Sequence, residues 1–212
     1  MIPGSDFGPG VATFGVLDII VPDPGGLTIT HVGTYEDAPG TLAGFGDVDF
    51  TVTENLPVGK LIVVGGHHAN ENILLRVLVD GVEATTLASG VKAKAIVIAS
   101  AYDISTPGNY DITIASDEVG NEKYMSIYVV TGATTVTASL TLPFTSTNGL
   151  IAMFQSVGQP AMTPNSTGTI TKNAEMDIRN DRWVTSFSGV GAMTLTNPGF
   201  PGNFDHVMVD IE

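Results

Sequence analysis

Two adjacent histidines, His67 and His68, with Asn70 and Glu71 just beyond, are the first residues here whose types could hold a metal ion. A protein zinc site needs three or four such ligands converging on one point. The pair closes an apolar run, KLIVVGG, that reads as a strand, and adjacent strand residues point to opposite faces. One ion cannot readily take both, and no third histidine stands at ligand spacing. A second cluster is Asp117, Glu118, Asn121 and Glu122, gathered around Gly120. Calcium takes about six to eight oxygen ligands, so this loop is a calcium candidate. Its spacing is not that of an EF-hand, and the plainer reading is a solvated hairpin loop. Asp47 and Asp49 fall on one face of a strand; glycosidases use carboxylate pairs roughly 5–9 Å apart for acid/base work. Same-face acids on an exposed strand are ordinary, however, and nothing else marks a cleft. No G-x-S-x-G, H-E-x-x-H or P-loop motif occurs. We therefore expect no enzyme, no catalytic residue and no cofactor. Trp183, with Phe187 further along the same strand face, could stack on a sugar, but aromatics at alternate strand positions more often fill a core.

These residues hang on a framework centred on Lys60 to Ile114. Segments such as KLIVVGG, NILLRVLVDGVEATTLAS, KAKAIVIASAYDIS and PGNYDITI are apolar and β-branched, with Gly, Asp, Asn and Pro at the breaks, which is how strands joined by tight turns are written. Asp80-Gly81 tolerates positive φ at both central positions and predicts a type I′ hairpin turn. Leu61–Val64, Ile73–Val79 and Ala93–Ala99 are apolar on both faces and predict strands buried on both sides. Asp47–Thr53 alternates, with Val48, Phe50 and Val52 inward. Tyr124–Thr131 should place Met125, Ile127 and Val129 in the core, and Val136–Leu142 should place Val136, Ala138, Leu140 and Leu142 there. Ile170–Ile178 and Arg182–Phe187 read as a hairpin, Gly158–Gly168 as an exposed loop, and His206–Ile211 as an alternating closing strand. Val11–Val21 reads as a first strand. About thirteen or fourteen strands and no convincing amphipathic helix predict an antiparallel β-sandwich, jelly-roll-like, as one domain over residues 11–212. Residues 1–10 hold Pro3, Gly4, Gly8, Pro9 and Gly10 and predict an extended Gly/Pro-rich arm, with Ile2, Pro3, Phe7 and Pro9 available for contact with a neighbour.

Composition limits the partners. The 212 residues carry eight Lys and Arg against 22 Asp and Glu, a net charge of −14. Nucleic-acid phosphates need clustered cations, which are missing, so nucleic acid and anionic membranes are not expected partners. Charged residues make up only 14% of the chain, below the usual share, which points to surface that meets other protein. Cysteine is absent, so packing and strand pairing alone must hold the fold. No apolar run reaches the roughly 18–20 residues that span a bilayer, and the start has no basic segment followed by an apolar one. Synthesis in the cytoplasm without a signal peptide is the expectation.

The succession of segments resembles a group of tailed-bacteriophage virion structural proteins of β-sandwich type, capsid-decoration or tail-accessory and fibre proteins. It runs LIVVGG, VLVDGVEATTLAS, AIVIASAYDI, PGNYDITI, MSIYVVTGA, VTASLTLP, LIAMFQSVG, RWVTSFSGV and HVMVDIE, and it covers roughly residues 40–212. The resemblance implies a structural role in the virion, on the capsid surface or tail. The implied partners are other virion proteins and copies of the chain itself, as a homo-oligomer. No catalytic residues travel with it. The alternative expectation is a carbohydrate- or receptor-binding module at a tail tip, holding a host surface glycan with the 158–168 loop and Trp183, Tyr102 or Tyr110.

Overall fold

The computed structural model describes residues 26–36, 49–68, 74–92, 95–116, 123–157, 163–177, 182–197 and 204–212. The expected arm, the first strand and the connection between the two strands of the expected 170–187 hairpin lie outside these residues. What is described is all antiparallel β. The first half supplies β1 (Thr28–Glu36), β2 (Asp49–Leu56), β3 (Gly59–His68), β4 (Leu75–Val79), β5 (Val82–Glu83), β6 (Thr85–Lys92), β7 (Ala95–Ile104), β8 (Gly108–Ser116) and β9 (Lys123–Thr131). The second half supplies β10 (Val136–Ser139), β11 (Phe144–Ser146), β12 (Gly149–Val157), β13 (Asn165–Ser166), β14 (Thr171–Asp177), β15 (Arg182–Val190), β16 (Met193–Thr196) and β17 (Phe204–Ile211).

Four sheets result. A first outer sheet has the order β2-β8-β4-β5, and a first inner sheet β1-β9-β3-β7-β6. A second inner sheet has the order β10-β17-β12-β15-β14, and a second outer sheet β11-β16-β13. Side-chain alternation shows how they stack. On β3, Leu61 and Val63 join Phe50, Val52, Val77, Ile112 and Ile114 in a core between the first two sheets. Ile62 and Val64, on the opposite face of the same strand, join Ile151, Met153, Val184, Val207 and Val209 in a core between the two inner sheets. Leu150, Ala152, Phe154 and Met208, from the far face of the second inner sheet, meet Met193, Leu195 and Phe144 beneath the second outer sheet. Each half is a sandwich, and a shared middle core joins them. Burying one Val, Leu or Ile side chain is worth roughly 1.5–3 kcal/mol, so the middle core is a substantial link.

The antiparallel β-sandwich predicted from the sequence is what the chain forms, but in four sheets rather than two. Leu61–Val64 and the strand after Lys94 are buried on both faces, as predicted. The run ending at Val79 is not: Arg76 is exposed and Leu78 only half-buried, because β4 lies in an outer sheet with one face to solvent. Met125, Ile127 and Val129 are core, and so are Tyr124, Tyr128 and Val130 on the opposite face of β9. The closing strand β17 is central rather than peripheral, paired with both β10 and β12, and Asp205 and His206 are buried within it. Part of the presumed exposed loop is also structured: Asn165–Ser166 pair with β16.

The Asp80-Gly81 turn has φ of 49° and 78° at its two central residues, as a type I′ turn requires. The Asp80 carboxylate accepts from the Asp111 backbone N–H at 2.8 Å, tying the hairpin to β8. At Gly65 a Cβ would lie 2.7 Å from the Tyr124 carbonyl oxygen and closer still to Ile114, so only glycine lets β3 and its neighbours approach this closely.

Candidate functional site

One end of the strand-edge side carries a cleft of about 480 Å3. It is lined by Lys60 at the start of β3, Glu83 of β5, Thr85 and Leu87 of β6, Ala101, Tyr102 and Asp103 near the end of β7, and Val136 of β10. The registers explain the assembly. Lys60 pairs with Asp103, Leu61 with Tyr102, and Thr85 with Ala101, so three strands deliver their residues to one level. Val136 comes from the second inner sheet, which places the cleft where the two sandwiches meet. Small-molecule sites favour such junctions and commonly measure about 300–1,000 Å3. Lys60 Nζ donates to Asp103 Oδ1, which links the two side chains at the rim of the cleft. The lysine is mostly covered, whereas the Asp103 side chain is 81% exposed. Tyr102 is half-buried and packs against the outer core, whereas its neighbour Ala101 packs in the middle core with Leu87 and Val136. Ala101, Leu87 and Val136 supply apolar wall; Glu83 and Thr85 supply an exposed carboxylate and hydroxyl. The arrangement offers fixed donors and acceptors beside apolar surface, with no nucleophile paired to a base.

A second feature is a polar seam between the inner sheets. His31 Nε2 lies 2.8 Å from Thr34 Oγ1, which lies 2.8 Å from Ser126 Oγ and 3.5 Å from Ser186 Oγ across the gap. The Tyr128 hydroxyl donates to Asn173 Oδ1 at 3.3 Å, and the Tyr124 hydroxyl donates to Gln155 Oε1. The Thr34–Ser186, Tyr128–Asn173 and Tyr124–Gln155 bonds cross from one sandwich to the other and favour one mutual register, since a polar group buried there without a partner would cost free energy. The His31 ring stands 5.0 Å from the Tyr128 ring. Burial holds the His31 imidazole below its ordinary pKa, partly offset by a backbone hydrogen bond at Gly33. Burial likewise pushes the Tyr128 phenol well up, against a hydrogen bond with Ser186 that favours ionisation. In the outer core, burial and then the Glu54 carboxylate raise Tyr35 to about 12.

The sequence candidates scatter. His67 is buried, and the side chain of His68 lies outside the described residues. No group of three or more potential metal ligands occurs among the described residues. The calcium candidates Asp117, Glu118, Asn121 and Glu122 lie outside them, as do Asp47 and the contact residues Ile2, Pro3, Phe7 and Pro9. Asp49 is exposed at the start of β2. Of the aromatic pair on β15, Phe187 is core, edge-on to Phe154 at 6.0 Å, while Trp183 is half-buried at the strand's beginning, opposite Ser156. Tyr110 donates its hydroxyl to the Thr106 carbonyl at 2.6 Å. Only Tyr102 reaches the cleft. Lys60, Glu83 and Asp103 were not singled out by sequence reasoning, and Val136 was expected only as a core residue. They are far apart along the chain, and only the strand registers bring them together.

No family model matches the chain, nor does any curated protein or solved structure.

Proposed function

We propose that the chain is a non-enzymatic structural component of a bacteriophage virion, carried on the capsid surface or tail and held there by other virion proteins and by copies of itself. The observation that supports this reading is the stack itself. Two inner sheets, each buried on both faces, leave a body defined by three layered apolar cores. The surface this leaves includes outermost strands and an exposed polar face. On that face Thr51 pairs with Thr113 at 2.8 Å, Thr53 donates to Asp111 at 2.6 Å, and Asn55 donates to Asn109 at 3.0 Å. Among the described residues β2, β1, β14 and β10 are outermost in their sheets, and an outermost strand can pair its backbone with another chain. The N-terminal arm, with Ile2, Pro3, Phe7 and Pro9, adds contact length. A net charge of −14 keeps free copies apart until specific contacts overcome the repulsion.

The test is co-sedimentation. Phage particles purified through a density gradient should carry the chain, detected by mass spectrometry, at a level comparable to other coat or tail components. A chain found wholly in the soluble fraction, with none in particles, removes the reading.

A further inference from the structure

We propose that the cleft at the junction of the two sandwiches binds a neutral saccharide. Three classes of ligand compete for a cleft of this size, and the lining separates them. An anion would face the Glu83 and Asp103 carboxylates with only Lys60 to answer them, and Lys60 is already paired with Asp103. A hydrocarbon would cover Lys60, Glu83, Thr85 and Asp103 without satisfying them, and a buried charge or hydroxyl left without a partner is costly. A sugar ring suits both halves of the wall. Its C–H face can lie on Leu87 and Val136, which border the cleft from the middle-core side of the sheet. Its hydroxyls can donate to the Glu83 carboxylate, exchange with the Thr85 hydroxyl, and accept from Lys60. Charge-assisted hydrogen bonds of this kind are the stronger ones. The Lys60–Asp103 pair holds the Lys60 ammonium at the cleft before a ligand arrives, which lowers the ordering cost of binding. The site lies apart from Trp183, where β15 begins, and saccharide binding stands independently of the assembly role.

The test is saturation-transfer NMR and calorimetry on the full chain with three probes: maltotriose, triacetylchitotriose and the anionic sialyllactose. At least one neutral trisaccharide should bind with a Kd in the millimolar range or tighter, and sialyllactose about tenfold more weakly or not at all. Glu83→Ala and Thr85→Val change exposed positions and should leave the circular dichroism spectrum intact while weakening binding about tenfold. Thr53→Ala, on the exposed face of the first outer sheet, should bind like the parent chain. Binding of none of the three probes overturns the proposal. So does equal affinity for sialyllactose, or binding that survives both Glu83→Ala and Thr85→Val but is lost in Trp183→Ala. Particle incorporation of the same variants reads the assembly role separately.

Discussion

Replacing Ile112 by alanine tests whether the two sandwiches behave as one folded unit. Ile112 is fully buried on β8, in the core between the first outer and first inner sheets. The substitution removes three carbons, worth about 0.8 kcal/mol each by transfer. The cavity left behind adds to that, and such changes cost roughly 2–5 kcal/mol in all. With a urea slope near 3 kcal/mol per molar, a loss of about 3 kcal/mol moves the midpoint down by about 1 M. The reporter is built in. The chain has one tryptophan, Trp183, and it lies on β15 in the other sandwich. If the middle core of Ile62, Val64, Ile151, Val207 and Val209 couples the halves, the Trp183 fluorescence transition falls with the far-ultraviolet circular dichroism transition, by the same amount. Two separated transitions, with the fluorescence midpoint unmoved by Ile112→Ala, would refute the coupling.

Other perturbations address smaller parts of the account. Because burial lowers the His31 pKa in the folded chain, stability should be greatest above the unfolded value of about 6.5 and decline as pH falls through the lowered folded value. His31→Gln should flatten that decline, measured as urea midpoint against pH; an unchanged slope would show that His31 is not its source. Gly81→Ala should cost roughly 1–2 kcal/mol, because φ is 78° there, and since a Cβ would meet nothing within 4 Å the loss isolates the backbone term; no change in thermal midpoint would contradict the turn assignment. Deleting residues 1–10 should abolish incorporation into particles while leaving the circular dichroism spectrum and thermal midpoint intact; normal incorporation would remove the arm's role.

How far the sequence carried these conclusions depends on what each feature rests on. Local patterns were readable. The Asp-Gly turn was legible because two positive φ angles demand those residue types, and Leu61–Val64 because four apolar residues in a row leave no polar face. Alternation misled where a sheet is buried on both sides. The pattern placed Met125, Ile127 and Val129 in the core and gave no role to Tyr124 and Tyr128, yet these are buried too and their hydroxyls find Gln155 and Asn173 in the other sandwich. Leu75–Val79 failed in the opposite sense, since a run of apolar residues does not reveal that its sheet is an outer one. The central place of β17 was invisible, because its partners β10 and β12 are fixed by pairing between residues distant along the chain, from Ser156 with Phe204 to Val136 with Ile211. The cleft was illegible for the same reason: Lys60, Glu83, Asp103 and Val136 share no motif, only a level in the registers.

The assembly role is tested most directly by counting copies of the chain per particle with quantitative mass spectrometry against isotope-labelled standards. The account predicts a fixed ratio to the major capsid or tail protein, constant between preparations, as sites set by symmetry require. A ratio near zero, or one that drifts with washing and salt, would contradict it.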